Sequence, residues 1–330
     1  MTRTVCWHSF LGPEIAAFLA YKRSLRRRYA TEERTLALFD AYLVQRHVTD
    51  LIAVTPTLVD AFLRSRPRTR PRSYNHLRCT VARLFAYLVA RQILADSPLQ
   101  SPPRRARYER TPFIFDVPAA RKLLALARAL PSTGSTRDRG QTYYLLFAIL
   151  YGLGLRVGEA CRLRVQDVDR ERGLLVIRQT KFYKDRLAPF GPKLGALLAV
   201  HIQQREAELG SVPSADAPLF CLRGGRPINP CTVSQTFHAL WPRLQLPIPP
   251  GISPPRLHDL RHAFAVGTLT RWYREGLDPQ TRLLALSTFM GHVDVSSTAV
   301  YLTITPELLD QANRRFRTFA AAALTGELPT

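Results

Sequence analysis

The order of apolar and polar positions changes character along this chain, and each change marks an element. Residues 13–95 carry helical periodicity and no strand pattern. The clearest stretch is SYNHLRCTVARLFAYLVARQIL, where Leu77, Val81, Leu84, Phe85 and Leu88 fall on one apolar stripe and Arg78, Arg83 and Arg91 fall off it. Just before it, RSRPRTRPR (64–72) sets five arginines among prolines, which break a helix and leave an extended basic loop. SPLQSPPRRARYERTP (97–112) is proline-rich, basic and without apolar period, the texture of a linker. The expected organisation is therefore a small helical domain over 1–98, a linker over 99–112 and a larger domain over 113–330.

In the larger part, helical periods near 118–130 and 139–153 give way to DVDRERGLLVIRQTKFYKDRLAPF (167–190). LLVIRQT reads as a strand, FYKD as a polar turn region and RLAPF as a returning strand, which predicts an antiparallel hairpin with Lys181 at its tip. Helical character returns after 192 and extends past Tyr301, where Leu308, Leu309, Ala312 and Phe316 share a face. The chain is thus mainly α with one small antiparallel sheet. It has no internal repeat and no Gly-rich phosphate loop.

Charge narrows the class of partner. The 330 residues hold 47 Lys and Arg against 25 Asp and Glu, a net +22, and 20 minus 8 of these lie before residue 111 and 27 minus 17 after it. Both halves are basic, so the positive field is not confined to a tail and points to a polyanion, foremost DNA. Arg64, Arg66, Arg68, Arg70, Arg72 and Arg78 are the expected contacts to the phosphate backbone. The five cysteines are scattered, with no CxxC pair, and read as reduced structural thiols of a cytoplasmic, nucleoid-associated protein. TYYLLFAILYGLGL (142–155) is too short to span a bilayer, so no membrane partner is expected; it reads as a buried helix.

HDLRH (258–262) could be a zinc pair or an anion clamp. Arg261 lies one turn after His258 and would set a permanent cation beside a metal, which favours an anion. GLGLRVGEACRL (152–163) places Arg156 at a helix start with Glu159 one turn on, and FMGHVDVSSTAVYL (289–302) places Tyr301 nine positions after His292. These motifs, with the hairpin lysine followed by R-L-x-P, occur in the order found in the tyrosine recombinase (phage-integrase-like) family, which the chain resembles. The resemblance implies that family's DNA breaking-rejoining fold with an N-terminal helical core-binding domain. By motif, it implies Arg156, Lys181, His258, Arg261 and His292 as the catalytic set, Tyr301 as nucleophile and Glu159 as support for Arg156.

The residue types suit phosphodiester transfer. A phenol of pKa about 10 is ionised roughly one part in a thousand at pH 7, a deficit of about 4 kcal/mol that nearby cations and hydrogen bonds are expected to offset. Arg156 and Arg261 offer fixed forks for the non-bridging oxygens, so neither metal nor other cofactor is required, and His262 is left as a packing or supporting residue. Lysine is scarce, with 42 arginines to five lysines, and unlike arginine it can give up a proton, so Lys181 reads as the general acid and Lys184 as its less well spaced neighbour.

The stretch between Arg261 and His292 is longer than the family's common form and resembles transposon-encoded members. The expectation is a site-specific recombinase or integrase that clamps DNA between its domains. It works through a 3'-phosphotyrosine, as a tetramer on two sites or with sister recombinases, to integrate and excise a mobile element. Chromosome or plasmid dimer resolution, type IB topoisomerase-like nicking and closing, and a noncatalytic DNA-binding regulator are the other readings.

Overall fold

The computed structural model describes residues 6–105, 111–134, 138–178, 185–209 and 212–303, with positions 310, 313, 314 and 317 beyond them. Two compact units divide the chain, Met1–Glu109 and Arg110–Thr330. No helix among the described residues is long and apolar enough to cross a membrane.

The first unit is helical. Helices α1 (Gly12–Ser24), α2 (Ala30–Gln45), α3 (Pro56–Ser65) and α4 (Pro71–Ala90) surround one core. Prolines at the first positions of α3 and α4 are tolerated because those N–H groups have no intrahelical acceptor. The expected α4 stripe is the buried one, with Leu77, Val81, Leu84, Phe85 and Leu88 all in the core. Phe39 joins three helices by packing edge-on against Phe62 at 4.9 Å and Phe85 at 5.9 Å, contacts of about 0.5 to 1.5 kcal/mol each beyond their burial. Buried Asp40 accepts bonds from the backbone of His8 and Ser9 and so ties the segment before α1 to α2.

The segment after α4 is strapped to that helix. Asn75 exchanges two 2.8 Å bonds with the backbone of Arg104, and Arg78 Nε donates to Ser101 O at 2.5 Å. The Arg104 guanidinium lies 4.0 Å from the Tyr74 ring centroid and also donates to Arg68 O. Ser101 Oγ closes the strap on Asp60.

In the second unit, α5 (Val117–Arg128), α6 (Arg139–Gly152), α8 (Pro192–Leu209) and α9 (Pro230–Leu240) build the main core. The apolar run 142–155 supplies α6, whose Leu145, Leu146, Phe147, Ile149 and Leu150 are all buried, as a helix apolar on every side must be. Strands β1 (Val168–Asp169), β2 (Leu174–Ile177) and β3 (Arg186–Pro189) form an antiparallel sheet in the order β1-β2-β3. Leu175 and Ile177 point into the core by strand alternation, and the register pairs Ile177 with Arg186. Arg178 Nε bonds Asp167 Oδ1 at 2.6 Å and anchors the end of β2. The short α7 (Val157–Ala160) precedes the sheet, and α10 (Asp259–Arg274), α11 (Pro279–Met290) and α12 (Ser296–Ala299) follow α9. These last helices share a smaller core of Ala265, Leu269, Leu286, Met290 and Tyr301. The terminal face expected at Leu308, Leu309, Ala312 and Phe316 lies outside the described residues.

Candidate active site

A glycine starts the site. Gly154 takes φ +60°, and a Cβ there would come within 2.5 Å of the Phe264 ring, so the chain passes tight against α10 before entering α7. That approach lets the Gly154 carbonyl accept from Arg261 NH1 at 2.5 Å, while Arg261 NH2 donates to Met290 O at 2.7 Å. Arg261 is thereby buried, 2% exposed, and aimed by carbonyls from the residues before α7 and the end of α11. Arg156 caps α7, its backbone N–H donating to Glu159 Oε2 at 3.0 Å. Its guanidinium donates to Glu159 Oε1 at 2.8 Å and to Gly291 O at 3.0 Å.

Arg186 completes this frame from β3. It donates to both Glu159 oxygens, at 3.2 and 2.8 Å, and to Phe289 O at 2.8 Å. Glu159 is 3% exposed at its side chain and receives two guanidinia. Burial opposes its charge, but hydrogen bonds and charge from Arg186, then from Arg156, overcome it and hold the pKa at about 2. The carboxylate is therefore a fixed anion that orients two cations.

Three histidines and Tyr301 lie around Arg261. His258 and His262 sit one turn apart at the start of α10, their rings edge-to-face at 4.9 Å. His292 Nδ1 bonds Thr298 Oγ1 at 2.6 Å, and its ring stacks at 6.4 Å from the Tyr301 ring. His262 Nδ1 is 2.8 Å from the Tyr301 hydroxyl. Asp259, fully buried, accepts from Arg256 N at 2.9 Å and from Arg256 NH2 at 3.1 Å, so the acid of HDLRH is engaged by an arginine. Among the described residues no group of three His, Cys, Asp or Glu side chains converges on a point where it could hold a metal.

All three imidazoles are neutral at pH 7. Burial, then neighbouring cations, depress each to about 4, with His262 and Arg261 acting on His258, Arg256 and Arg261 on His262, and Arg261 and Arg156 on His292. Arg261 is drawn down, by burial and then by Arg156, to about 9 and stays cationic. Burial raises the Tyr301 pKa and outweighs the lowering by Arg261 and Arg156, because the phenol is only 3% exposed.

Two arginines are framed on one carboxylate, with histidines and a buried tyrosine hydroxyl beside them, an arrangement suited to holding an anion. Residues 120–307 match the Phage integrase family. The chain belongs to the phage integrase family.

This recombinase is of the tyrosine type and is 34% identical over 307 residues to y4rB of Sinorhizobium fredii, an integrase/recombinase by name, covering 91% of this chain and 95% of that one. It is 27% identical over 286 residues to the tyrosine recombinase XerC of Myxococcus xanthus, covering 83% and 85%. Its fold matches the Tn1549 transposon integrase in complex with transposon right end DNA, with TM-score 0.65, 17% identity and coverage of 95% and 100%. XerH bound to its difH substrate matches with TM-score 0.59 and 19% identity over 86% of this chain and 77% of that one.

The recombinase brings Arg156, Glu159, His258, Arg261, His292 and Tyr301 to one place; Lys181 and Lys184 lie outside the described residues. Two further residues join the site by contact. Arg186 served only as a spacing marker for the lysine, although strand alternation places it on a defined face of β3. His262, expected as a packing or supporting residue, touches the Tyr301 hydroxyl across 39 positions. The arginines proposed for DNA are on the first unit: Arg64, Arg70 and Arg72 are exposed, Arg66 and Arg68 half-buried, and Arg78 bonded to Ser101.

Proposed function

We propose that this recombinase cuts and rejoins duplex DNA by transesterification, with Tyr301 attacking a phosphate to form a 3'-phosphotyrosine and release a 5'-hydroxyl. The observation that supports the reading is the buried Tyr301 hydroxyl, in contact with His262 of the helix that also carries Arg261, with His292 stacked on its ring. Arg156 and Arg261 would neutralise the non-bridging oxygens as charge grows on them, and His258 and His292 would donate to the same oxygens. Lys181 would protonate the leaving 5'-oxygen. A second 5'-hydroxyl attacking the phosphotyrosine reverses the step and exchanges strands. The first unit, with its exposed arginines, would hold the duplex by its phosphates.

The role proposed is integration and excision of a mobile element, by a tetramer on two sites or with sister recombinases, in the nucleoid. The long segment between Arg261 and His292 supports it, as does the integrase/recombinase name of y4rB. The experiment starts by selecting the bound sequence from a random DNA pool and matching it to repeats flanking the gene. Two labelled duplexes carrying that sequence are then mixed with the protein. Strand exchange between them supports recombination, whereas relaxation of supercoiled DNA without exchange would assign a topoisomerase-like activity.

A further inference from the structure

Tyr301 has a problem that the arginines do not solve. Its hydroxyl is buried and its pKa lies above the ordinary phenol value despite two nearby guanidinia, so attack needs an acceptor for its proton. Among the described residues His262 is the histidine in hydrogen-bond contact with it. His292 has its Nδ1 committed to Thr298, and His258 meets the ring of His262 rather than the tyrosine.

We propose that His262 is a catalytic residue, the general base that takes the Tyr301 proton during attack and returns it when the phosphotyrosine is resolved. The proposal rests on Tyr301 being the nucleophile. The geometry is that of a relay. Nδ1 accepts from the phenol at 2.8 Å, and Nε2 on the other side of the ring faces Asp259 Oδ1 at 4.0 Å. At that distance the carboxylate makes no direct hydrogen bond but stabilises positive charge on the imidazole and favours the Nε2–H tautomer, which leaves the Nδ1 lone pair toward the tyrosine. Asp259 itself is fixed by two bonds from Arg256.

The step balances. The Tyr301 O–H bond breaks, its proton passes to His262 Nδ1, and the phenolic oxygen bonds to phosphorus as the bond to the 5'-oxygen breaks; that oxygen takes a proton from the acid on its own side. A depressed imidazole is a weak base; burial depresses it first, and the charges of Arg256 and Arg261 add to that. A phosphate at the guanidinia brings negative charge against those cations and raises the basicity of His262 when substrate is in place. The base is thus strengthened by the substrate it serves.

The test uses the full chain and a nicked duplex carrying the selected sequence, with single-turnover cleavage as readout. His262→Asn keeps an oxygen near the Nδ1 position to accept from the phenol but cannot take its proton. Its rate should fall about 10² to 10⁴-fold, the usual worth of a positioned base. Fluorinated tyrosine at position 301, a more acidic phenol, should recover much of that loss. Sulfur in place of the bridging 5'-oxygen should not, because it helps only the leaving group. Cleavage by His262→Asn within about threefold of wild type, or rescue by sulfur, overturns the proposal. If His262→Asn does not fold, fluorinated tyrosine in the native background decides: a flat rate supports a base in place, and a rate rising with phenolate fraction overturns it. Adduct formation by Tyr301→Phe would instead remove the nucleophile reading itself, a result distinguishable from failure of the base.

Discussion

Glu159 and Arg186 face each other as a buried fork, Oε2 to NH2 at 2.8 Å and Oε1 to NH1 at 3.2 Å, and the same carboxylate receives Arg156. One anion thus sets the spacing of two guanidinia that come from separate elements, α7 and β3. Removing its charge leaves both cations uncompensated in a largely buried frame. Glu159→Gln should therefore cost about 3 to 5 kcal/mol in stability and lower cleavage far more than DNA affinity. The carboxylate pKa is about 2 in the folded chain, below its ordinary value. Its contribution is full above that ordinary value and is lost as pH falls toward about 2. Denaturant unfolding of both proteins should show the gap shrinking over that window, and a constant gap would contradict the assignment.

Gly291 leaves Arg186 little room. It ends α11 at φ +67°, and a Cβ would lie 2.9 Å from Arg186 NH1. Gly291→Ala should lose about 1 kcal/mol or more from the left-handed backbone alone and should displace Arg186 as well. The expected readout is cleavage reduced at least tenfold with DNA binding nearly unchanged. Wild-type cleavage by this variant would show that Arg186 is not required in its observed place.

The histidines set an acid limit. Their folded pKa values near 4 lie below the ordinary imidazole value of about 6.5, so the unfolded chain binds more protons between those values. Stability should be full above about pH 6.5 and fall as pH drops toward 4, with Arg156, Arg186, Arg256 and Arg261 as the opposing charges. Thermal melts across this range test the sign. His292→Gln should flatten the slope, since one titrating group is gone.

The arginines of the first unit divide by what holds them. Exposed Arg64, Arg70 and Arg72 should each contribute to the salt dependence of DNA binding, and replacing one with alanine should reduce the log–log slope by about 0.9 if it meets one phosphate. Arg78 has its Nε on Ser101 O, so Arg78→Ala should loosen the strap on α4 and lower the melting temperature more than it changes the slope. Titrations at several salt concentrations, beside melts, separate the two groups.

Lys181 is expected to act at the leaving group. Lys181→Ala should cut cleavage of ordinary DNA about 10² to 10⁴-fold and be nearly normal on a 5'-bridging sulfur substrate, because a thiolate leaves without a proton. Lys181→Arg should not rescue, and Lys184→Ala should do little. Sulfur rescue of Lys184→Ala but not Lys181→Ala would move the acid by one lysine.

Much of this was legible in the residues because local rules set it. The α4 stripe and the apolar α6 follow from periodicity and are in the structure as read, and the expected strands pair antiparallel over Leu174–Ile177 and Arg186–Pro189, while the turn with Lys181 lies outside the described residues. The motif residues could be found by their order. The places of Arg186 and His262 could not be, because their contacts close across 27 and 39 positions, with Glu159 and Tyr301. The rise in the Tyr301 pKa was hidden for a related reason. Sequence displays the charge of Arg261 and Arg156, but the burial that outweighs it belongs to the packing of α10, α11 and α12.

The measurement that bears most directly on the account is the identity of the residue joined to DNA. Wild-type protein is trapped on the nicked duplex carrying its selected sequence, digested with protease and nuclease, and the nucleotide-bearing peptide is sequenced by mass spectrometry. The nucleotide should be on Tyr301 through a 3'-phosphate, and Tyr301→Phe should bind the same DNA and give no such peptide. A nucleotide on another tyrosine, Tyr273 for example, or a linkage through the 5'-phosphate, would contradict the account.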